Sequence, residues 1–152
     1  MRVVAALFRE YQAWLDAPIC FKDFEAELDN LGSVYRPPGG ELWLARIGAT
    51  VVGVVGMKPA AAPADLPSCE MKRLYVRDSW RGLGVGRKMA KVCIEWAAGA
   101  GYASVCLETL DRLSEARALY RSLGFSELSD GHNALETPIF MDLPLPSMDV
   151  AR

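Results

Sequence analysis

Three glycines alternate in the basic segment Arg81–Arg87, between a strand-like run and a helix-like run. Glycine allows positive φ angles and lets a ligand approach the backbone without a Cβ atom in the way. A helix that begins at Val85 directs its first amide groups and the positive end of its dipole toward the same place. Phosphate is the usual occupant of such a site. The sequence therefore predicts that this segment, called the glycine loop below, cradles a phosphate-bearing ligand.

Two common nucleotide-binding loops do not fit this segment. A Walker loop ends in Gly-Lys-Ser/Thr, whereas Gly86 is followed by Arg87 and Lys88. The third glycine of a dinucleotide fingerprint would fall at Arg87 or Met89, and neither is glycine. On the loop alone, a glycine-rich turn that only redirects the chain remains an alternative.

The pattern that does fit is Arg/Gln-x-x-Gly-x-Gly/Ala, with Arg81, Gly84 and Gly86 at its defining positions. A second segment, Ala118–Phe125, contains Leu-Tyr-x-x-x-Gly-Phe. In both motifs the chain resembles the GNAT superfamily of N-acetyltransferases, over about residues 41–143. It departs from that family at Leu113, where many members carry asparagine. Helical periodicity also begins at Met1, where the family normally opens with a β-strand, so either that strand is missing or the recorded sequence starts late.

The resemblance implies acetyl-CoA as co-substrate, with no metal ion. Its pyrophosphate would lie on the glycine loop, and its pantetheine arm would pair with backbone groups of the preceding strand. Its 3′-phosphate and adenine would lie toward Arg87, Lys88, Arg117 or Arg121. The implied cofactor-binding residues are Leu74, Tyr75, Val76, Arg81, Gly82, Leu83, Gly84, Val85, Gly86 and Arg87.

Tyr120 is the candidate general acid for the departing thiolate. A phenol with a pKa of about 10 stays protonated at pH 7 and can protonate a thiolate whose thiol has a pKa of about 8.5. The alternative is that the Tyr120 ring only packs beside Leu119 and Leu123.

Glu70 is the candidate general base, acting directly or through a water molecule. It precedes Arg81 by 11 positions, the offset at which some family members carry such a glutamate. An ion pair with Lys72 or Arg73 is an equally weighted alternative, and many relatives use a water chain instead of one base.

The periodicity around these residues predicts an α/β fold in the order α-α-β-β-β-α-β-α-β-β. Helical spacing runs from Val4 to Leu15 and again from Phe21 to Leu31, and residues 41–47 and 50–57 form a hairpin. The strand–helix–strand segment from Glu70 to Glu108 predicts a parallel, right-handed crossover. The resemblance implies a mixed, mostly antiparallel sheet of six to seven strands, with helices on both faces and a central, splayed parallel pair.

Composition limits the other possibilities. The length of 152 residues fits one domain, predicted over residues 1–143 with a frayed tail at 144–152. A net charge of −2 gives no general attraction to nucleic acid or anionic lipid. The four cysteines are too scattered for a zinc site, and no apolar run reaches the ~18 residues of a membrane span. We therefore expect a cytoplasmic protein. His132 lies in a polar loop and is expected to be exposed to solvent, with substrate contact as the alternative.

Together these features predict an N-acetyltransferase in which a primary amine attacks acetyl-CoA directly, through a tetrahedral intermediate. The acceptor would be a small molecule or a peptide, selected by the first two helices and by the loops at residues 60–67 and 130–137. A non-catalytic module that binds or senses acyl-CoA, and a transferase of longer acyl chains, are the alternatives. A homodimer is possible, because an unprotected sheet edge favours one.

Overall fold

The computed structural model describes residues 1–60, 66–128 and 138–146. The helices are α1 (Arg2–Leu15), α2 (Phe24–Asp29), α3 (Leu31–Val34), α4 (Val85–Gly99) and α5 (Ser114–Ser122). The strands are β1 (Glu41–Ile47), β2 (Thr50–Pro59), β3 (Ser68–Val76), β4 (Ser104–Leu110), β5 (Ser126–Glu127) and β6 (Pro138–Pro144).

The six strands form one sheet in the order β1-β2-β3-β4-β6-β5. Only β3 and β4 pair in parallel, and every other neighbouring pair is antiparallel. Helix α4 connects β3 to β4, so the predicted parallel crossover is confirmed. Three helices precede β1, the first strand of the chain.

Helices pack on both faces of the sheet, as predicted. On one face, α4 and α5 contribute Met89, Cys93 and Tyr120 to a buried cluster with the inner strands. On the other face, α1 and α2 contribute Phe8 and Phe24 to a second buried cluster. Alternating apolar residues of the central strands supply both clusters, since successive side chains of a strand point to opposite faces.

The helical spacing from Phe21 to Leu31 does not produce one helix. The chain forms a 3-10 turn at Pro18–Phe21, and Asp23 then adopts a left-handed conformation with φ 57° before α2 begins. Helices α2 and α3 are short, and Asn30 separates them with φ −130° and ψ 32°. The apolar side chains still face the core, because the interruptions preserve the buried side of this segment.

Strand β3 contains a β-bulge at Arg73, whose φ is 61°. The register with β2 shifts there, from Gly56↔Lys72 to Val54↔Tyr75, which leaves one extra residue on β3. The extra residue reverses which side chains of β3 point to each face of the sheet. Met71 belongs to the cluster under α4, whereas Tyr75 belongs to the cluster under α1.

Pairing between β3 and β4 ends immediately before this bulge. The last matched residues are Met71 and Leu107, so the ends of the two strands diverge. Beyond that point β4 remains paired with β6, and β3 remains paired with β2. The splayed parallel pair implied by the resemblance is therefore present.

Several sequence predictions fall outside the described residues. His132 and the loop at 130–137 are among them, as are most of the loop at 60–67 and the end of the tail at 144–152. Within residues 1–60, 66–128 and 138–146, the helices are all too short or too polar to cross a lipid bilayer.

Candidate active site

A cleft of about 570 Å³ opens where β3 and β4 diverge. Its lining comes from the end of β3, the glycine loop, the end of β4, helix α5 and two aromatic residues of α1. The predicted site residues in the lining are Leu74, Tyr75, Val76, Arg81, Gly82, Gly84, Val85, Gly86, Arg87 and Tyr120. Leu83 is not among the lining residues; its side chain is 65% exposed on the outside of the loop.

The glycine loop has the backbone geometry that its sequence predicts. Gly82 and Gly84 have φ angles of 78° and 80°, and a Cβ atom built on either would have no neighbour within 4 Å. Gly84 is the N-cap of α4, and no side chain of the described residues caps that end of the helix. The first amides of α4 therefore meet open space at the cleft mouth, with Arg87 beside them. These features fit a pyrophosphate group.

The side chain of Arg81 stabilises the loop itself. Its Nε donates to the carbonyl oxygen of Val76 at 2.9 Å, and its guanidinium pairs with Asp78 at 2.7 Å. The guanidinium carbon also lies 4.2 Å from the centroid of the Trp14 ring. Arg81 thus joins the end of β3, the start of the glycine loop and helix α1.

The backbone of β3 presents alternate residues to the cleft. The amide of Arg77 donates to the carbonyl oxygen of Val52 in β2 at 2.8 Å. Because backbone groups of every second strand residue point to the same edge, those of Tyr75 face β2 as well. Those of Leu74 and Val76 point to the opposite edge, where the cleft lies. Of the three residues predicted to pair with pantetheine, Leu74 and Val76 therefore have the suitable direction.

Tyr120 lines the cleft from α5 and is only 8% exposed. Its ring packs edge-on against Phe125, with the centroids 5.8 Å apart. Burial raises the pKa of the phenol above its ordinary value, so the hydroxyl is protonated at neutral pH. The structure thus combines packing and access to the cleft in one residue.

Glu70 lies next to the cleft but does not line it. It borders a smaller pocket of about 40 Å³, which shares Tyr11, Glu108, Thr109 and Leu113 with the main cleft. The ion pair considered between Glu70 and Arg73 does not form, because Arg73 pairs with Glu27 at 2.9 Å.

Glu108 is a carboxylate in the cleft that the sequence analysis did not single out. Its side chain is open to solvent, and it lines both pockets. Partial desolvation by the surrounding protein raises the pKa of Glu108, and the nearby charge of Glu70 raises it further. From the sequence, Glu108 could be placed only in the strand that follows α4. That position indicates a site residue only when the divergence of β3 and β4 is known from the structure.

Two of the cations considered for the 3′-phosphate are engaged elsewhere. Arg117 and Arg121 both pair with Glu127, at 2.7 Å and 2.6 Å, and Arg117 also pairs with Asp111. Neither arginine lines the cleft. Of the four cations considered, Arg87 lines the cleft, whereas Lys88 lies on the same turn of α4 without lining it.

Two aromatic residues of α1, Tyr11 and Trp14, form one wall of the cleft. Tyr11 stacks on Tyr75 with a centroid separation of 5.6 Å, and Trp14 lies 6.3 Å from the same ring. The helical spacing from Val4 to Leu15 places Tyr11 on the apolar face of α1, and the divergence of β3 from β4 leaves this part of α1 facing the cleft.

The sequence of this chain matches those of known proteins. The family model described as "Acetyltransferase (GNAT) family" matches residues 4–125. An uncharacterized N-acetyltransferase of Schizosaccharomyces pombe is 36% identical over 141 residues, which cover 91% of this chain and 85% of that protein. The chain belongs to the GNAT family of acetyltransferases.

Solved structures show the same fold at low sequence identity. A GNAT-family acetyltransferase from Staphylococcus aureus has a TM-score of 0.72 and 21% identity, with 96% of each chain covered. A GNAT-family acetyltransferase from Elizabethkingia anophelis, solved with acetyl-CoA bound, has a TM-score of 0.59 and 21% identity, with 70% of this chain and 77% of that chain covered.

Proposed function

We propose that this protein is an acetyl-CoA-dependent N-acetyltransferase that acts on a primary amine of a small molecule or a peptide. The observation that carries this proposal is the continuity of the cleft. It runs from the open amides of the glycine loop, along the diverging end of β3, to Tyr120 and Glu108. This order matches the pyrophosphate, the pantetheine arm and the thioester of acetyl-CoA.

The reaction needs an oxyanion donor where the thioester carbonyl lies. An amine that attacks this carbonyl places negative charge on its oxygen, and a fixed backbone N–H stabilises that charge without reorganisation. Leu74 and Val76 are the residues whose backbone groups point into the cleft. Their amides lie about 6–7 Å apart along the strand, so one of the two is the proposed donor.

Two proton transfers complete the reaction. The attacking amine loses a proton, and the thiolate of CoA gains one as the carbon–sulfur bond breaks. We assign the second proton to Tyr120, whose buried phenol is protonated at neutral pH. For the first, Glu70 remains the base predicted from the family pattern, and Glu108 is added because it lines the cleft itself. Either carboxylate acts directly or through a water molecule.

Release of free thiol from acetyl-CoA tests the proposal. A panel of small primary amines, amino acids and short peptides would be mixed with enzyme and acetyl-CoA, with thiol followed by a colour reagent and products by mass spectrometry. We expect thiol release that depends on one class of amine, with one acetyl group added to that amine. Tight binding of CoA without release by any amine would instead support an acyl-CoA-binding or sensing module.

The same assay tests the length of the acyl group. Acetyl-, butyryl- and octanoyl-CoA would be compared with the preferred amine. We expect the highest kcat/KM with acetyl-CoA, and a preference for octanoyl-CoA would assign the protein to transfer of longer chains.

A further inference from the structure

Arg73 combines three properties that rarely occur together. It lies in the middle of a strand, it has a φ angle of 61°, and it is only 6% exposed. A left-handed backbone is disfavoured for residues other than glycine, and a buried guanidinium requires compensation for its lost hydration. The surrounding protein must therefore hold both the backbone and the side chain of this residue.

The anchor is a set of contacts from the segment between α1 and α3. Arg73 forms a two-pronged ion pair with Glu27, with Nη2 to Oε1 at 2.9 Å and Nε to Oε2 at 3.1 Å. Its Nη1 donates to the carbonyl oxygen of Cys20 at 2.9 Å. The rings of Phe21 and Phe24 lie 4.5 Å and 5.2 Å from the guanidinium carbon.

Glu27 is itself held in place. The hydroxyl of Tyr35 donates to its Oε2 at 3.0 Å, and the carboxylate is largely buried. Burial alone would raise the pKa of Glu27, but the hydrogen bonds and charge of Arg73 outweigh burial and lower the pKa. Glu27 is therefore ionised at neutral pH, and the pair is fixed from both sides.

The bulge at Arg73 determines which backbone groups reach the cleft. Before it, Ser68 accepts from Ala60, so even-numbered residues of β3 face β2. After it, Arg77 donates to Val52, so odd-numbered residues face β2. Without the extra residue, Leu74 and Val76 would point to β2 and away from the cleft.

We propose that the Arg73–Glu27 pair is a positioning device, which holds the bulge of β3 so that the amides of Leu74 and Val76 face the cleft and one of them can donate to the thioester carbonyl. This role rests on the proposed acetyltransferase function. Neither Arg73 nor Glu27 lines the main cleft, although Arg73 borders the smaller pocket with Glu70 and Glu108. The pair is therefore proposed to act through the backbone of β3.

Loss of a positioning pair and loss of a purely structural pair have different effects on kcat and on CoA affinity. The glycine loop binds the pyrophosphate and lies beyond the end of β3. Loss of the pair therefore moves the amides at the thioester while the main anchor of CoA stays in place. A displacement near 1 Å of a positioned group can slow a reaction by about 100-fold. We expect a fall in kcat without an equal fall in CoA affinity.

The test uses two variants and a matched control. Glu27→Gln removes the charge of the partner, and Arg73→Gly combined with Glu27→Gln removes both charges while glycine accepts the positive φ without strain. The control is Glu25→Gln, which breaks the exposed Arg9–Glu25 pair at 3.0 Å on the same helix. The CoA dissociation constant, the melting temperature and kcat at saturating acetyl-CoA would be measured well below the unfolding transition.

We expect both pair variants to lower kcat by about 10- to 100-fold, with CoA affinity within about twofold of wild type. The control should match wild type in all three measurements. Unchanged kcat in folded protein with a lower melting temperature would overturn the proposal, as would a loss of CoA affinity as large as the loss of kcat.

A binding measurement tests the positioning role even if the proposed acetyltransferase function fails. If wild type releases no thiol with any amine, the acetyltransferase proposal fails, and the ratio of acetyl-CoA to CoA affinity is compared instead. An amide of Leu74 or Val76 can donate to the thioester carbonyl only when the end of β3 is positioned, so this ratio should fall in both pair variants. A ratio that is equal in wild type and variants would overturn the positioning role.

Discussion

Glu70 and Glu108 border the same small pocket between β3 and β4, and only Glu108 also lines the main cleft. The charge of Glu70 contributes to the raised pKa of Glu108, after the larger effect of partial desolvation. A carboxylate with a raised pKa is a stronger base than an ordinary one, and like charges in one site are a common way to produce it. This arrangement leads us to propose separable roles for the two residues, with Glu108 as the proton acceptor and Glu70 as its electrostatic neighbour.

The first prediction concerns the acid side of the pH–rate profile. Glu108 accepts a proton only when ionised, so kcat/KM for the amine should rise as the pH rises through its raised pKa. Glu108→Gln should remove this rise and lower kcat/KM by about 100-fold or more. Glu70→Gln should keep activity and move the rise to lower pH, because it removes the neighbouring negative charge.

One amine must be used throughout, since ionisation of the amine adds the same rise to every variant. Loss of activity in Glu70→Gln with little effect of Glu108→Gln would assign the base to Glu70, as the family pattern predicts. Full activity in both variants would favour a water chain.

The second prediction concerns stability in acid. The pKa of Glu27 lies below its ordinary value of 4.5, so its ionised form stabilises the fold. That stabilisation is complete above about pH 4.5 and is lost as the pH falls through the lower pKa of the folded state. At pH 7, Glu27→Gln should reduce the free energy of unfolding by about 3–5 kcal/mol, because Arg73 is left buried without its partner.

Urea unfolding at a series of pH values measures this effect. The difference between Glu27→Gln and wild type should shrink as the pH falls below about 4.5, since protonated Glu27 no longer forms the ion pair. If the difference stays constant with pH, Glu27 stabilises the fold through its packing and not through its charge. Glu25→Gln, on the same helix but exposed, should stay close to wild type at every pH.

The order of elements and the place of the glycine loop were predictable because they depend on local patterns. Strand alternation, helical spacing and glycine at Gly82 and Gly84 each reflect a preference of a few adjacent residues. Tyr120 was predicted in a different way, from the resemblance of its motif to the family, since its spacing alone favours packing in the core. The break between α2 and α3 was not predictable, because Phe21, Phe24, Leu28 and Leu31 keep helical spacing even though the helix is interrupted.

The bulge at Arg73 could not be predicted from the sequence for a related reason. An arginine in a strand is usually predicted to lie on the surface. The left-handed backbone of Arg73 is stabilised by Glu27, which is 46 positions away in the chain. Glu108 was missed for the same kind of reason. Its access to the cleft follows from the end of pairing at Met71 and Leu107, which no local pattern specifies.

The third prediction tests the glycine loop. Gly84 has a φ angle of 80°, so Gly84→Ala should strain the start of α4 by about 1–2 kcal/mol and weaken CoA binding by about 10-fold. Gly48→Ala is a matched control, because Gly48 has a φ angle of 61°, has no neighbour for a Cβ atom within 4 Å, and lies in the β1–β2 turn. It should lose similar stability and keep full CoA affinity. Equal CoA affinity in the two variants, measured by calorimetry, would contradict a phosphate cradle at Gly84.

The fourth prediction separates the two roles of Tyr120. Tyr120→Phe keeps the ring contact with Phe125 and removes the hydroxyl, so kcat should fall by about 100-fold while the CoA dissociation constant stays the same. In wild type the raised pKa keeps the phenol protonated, so Tyr120 should cause no loss of rate between pH 7 and about pH 10.

The control is Tyr102→Phe, which removes a hydroxyl that donates to the carbonyl oxygen of Gly39 at 2.7 Å, outside the cleft. It should lower the free energy of unfolding by about 1 kcal/mol and leave turnover unchanged. Thiol release at saturating acetyl-CoA and amine measures both variants. If Tyr120→Phe turns over at the wild-type rate, its hydroxyl does not protonate the thiolate, and Tyr120 serves the packing against Phe125 alone.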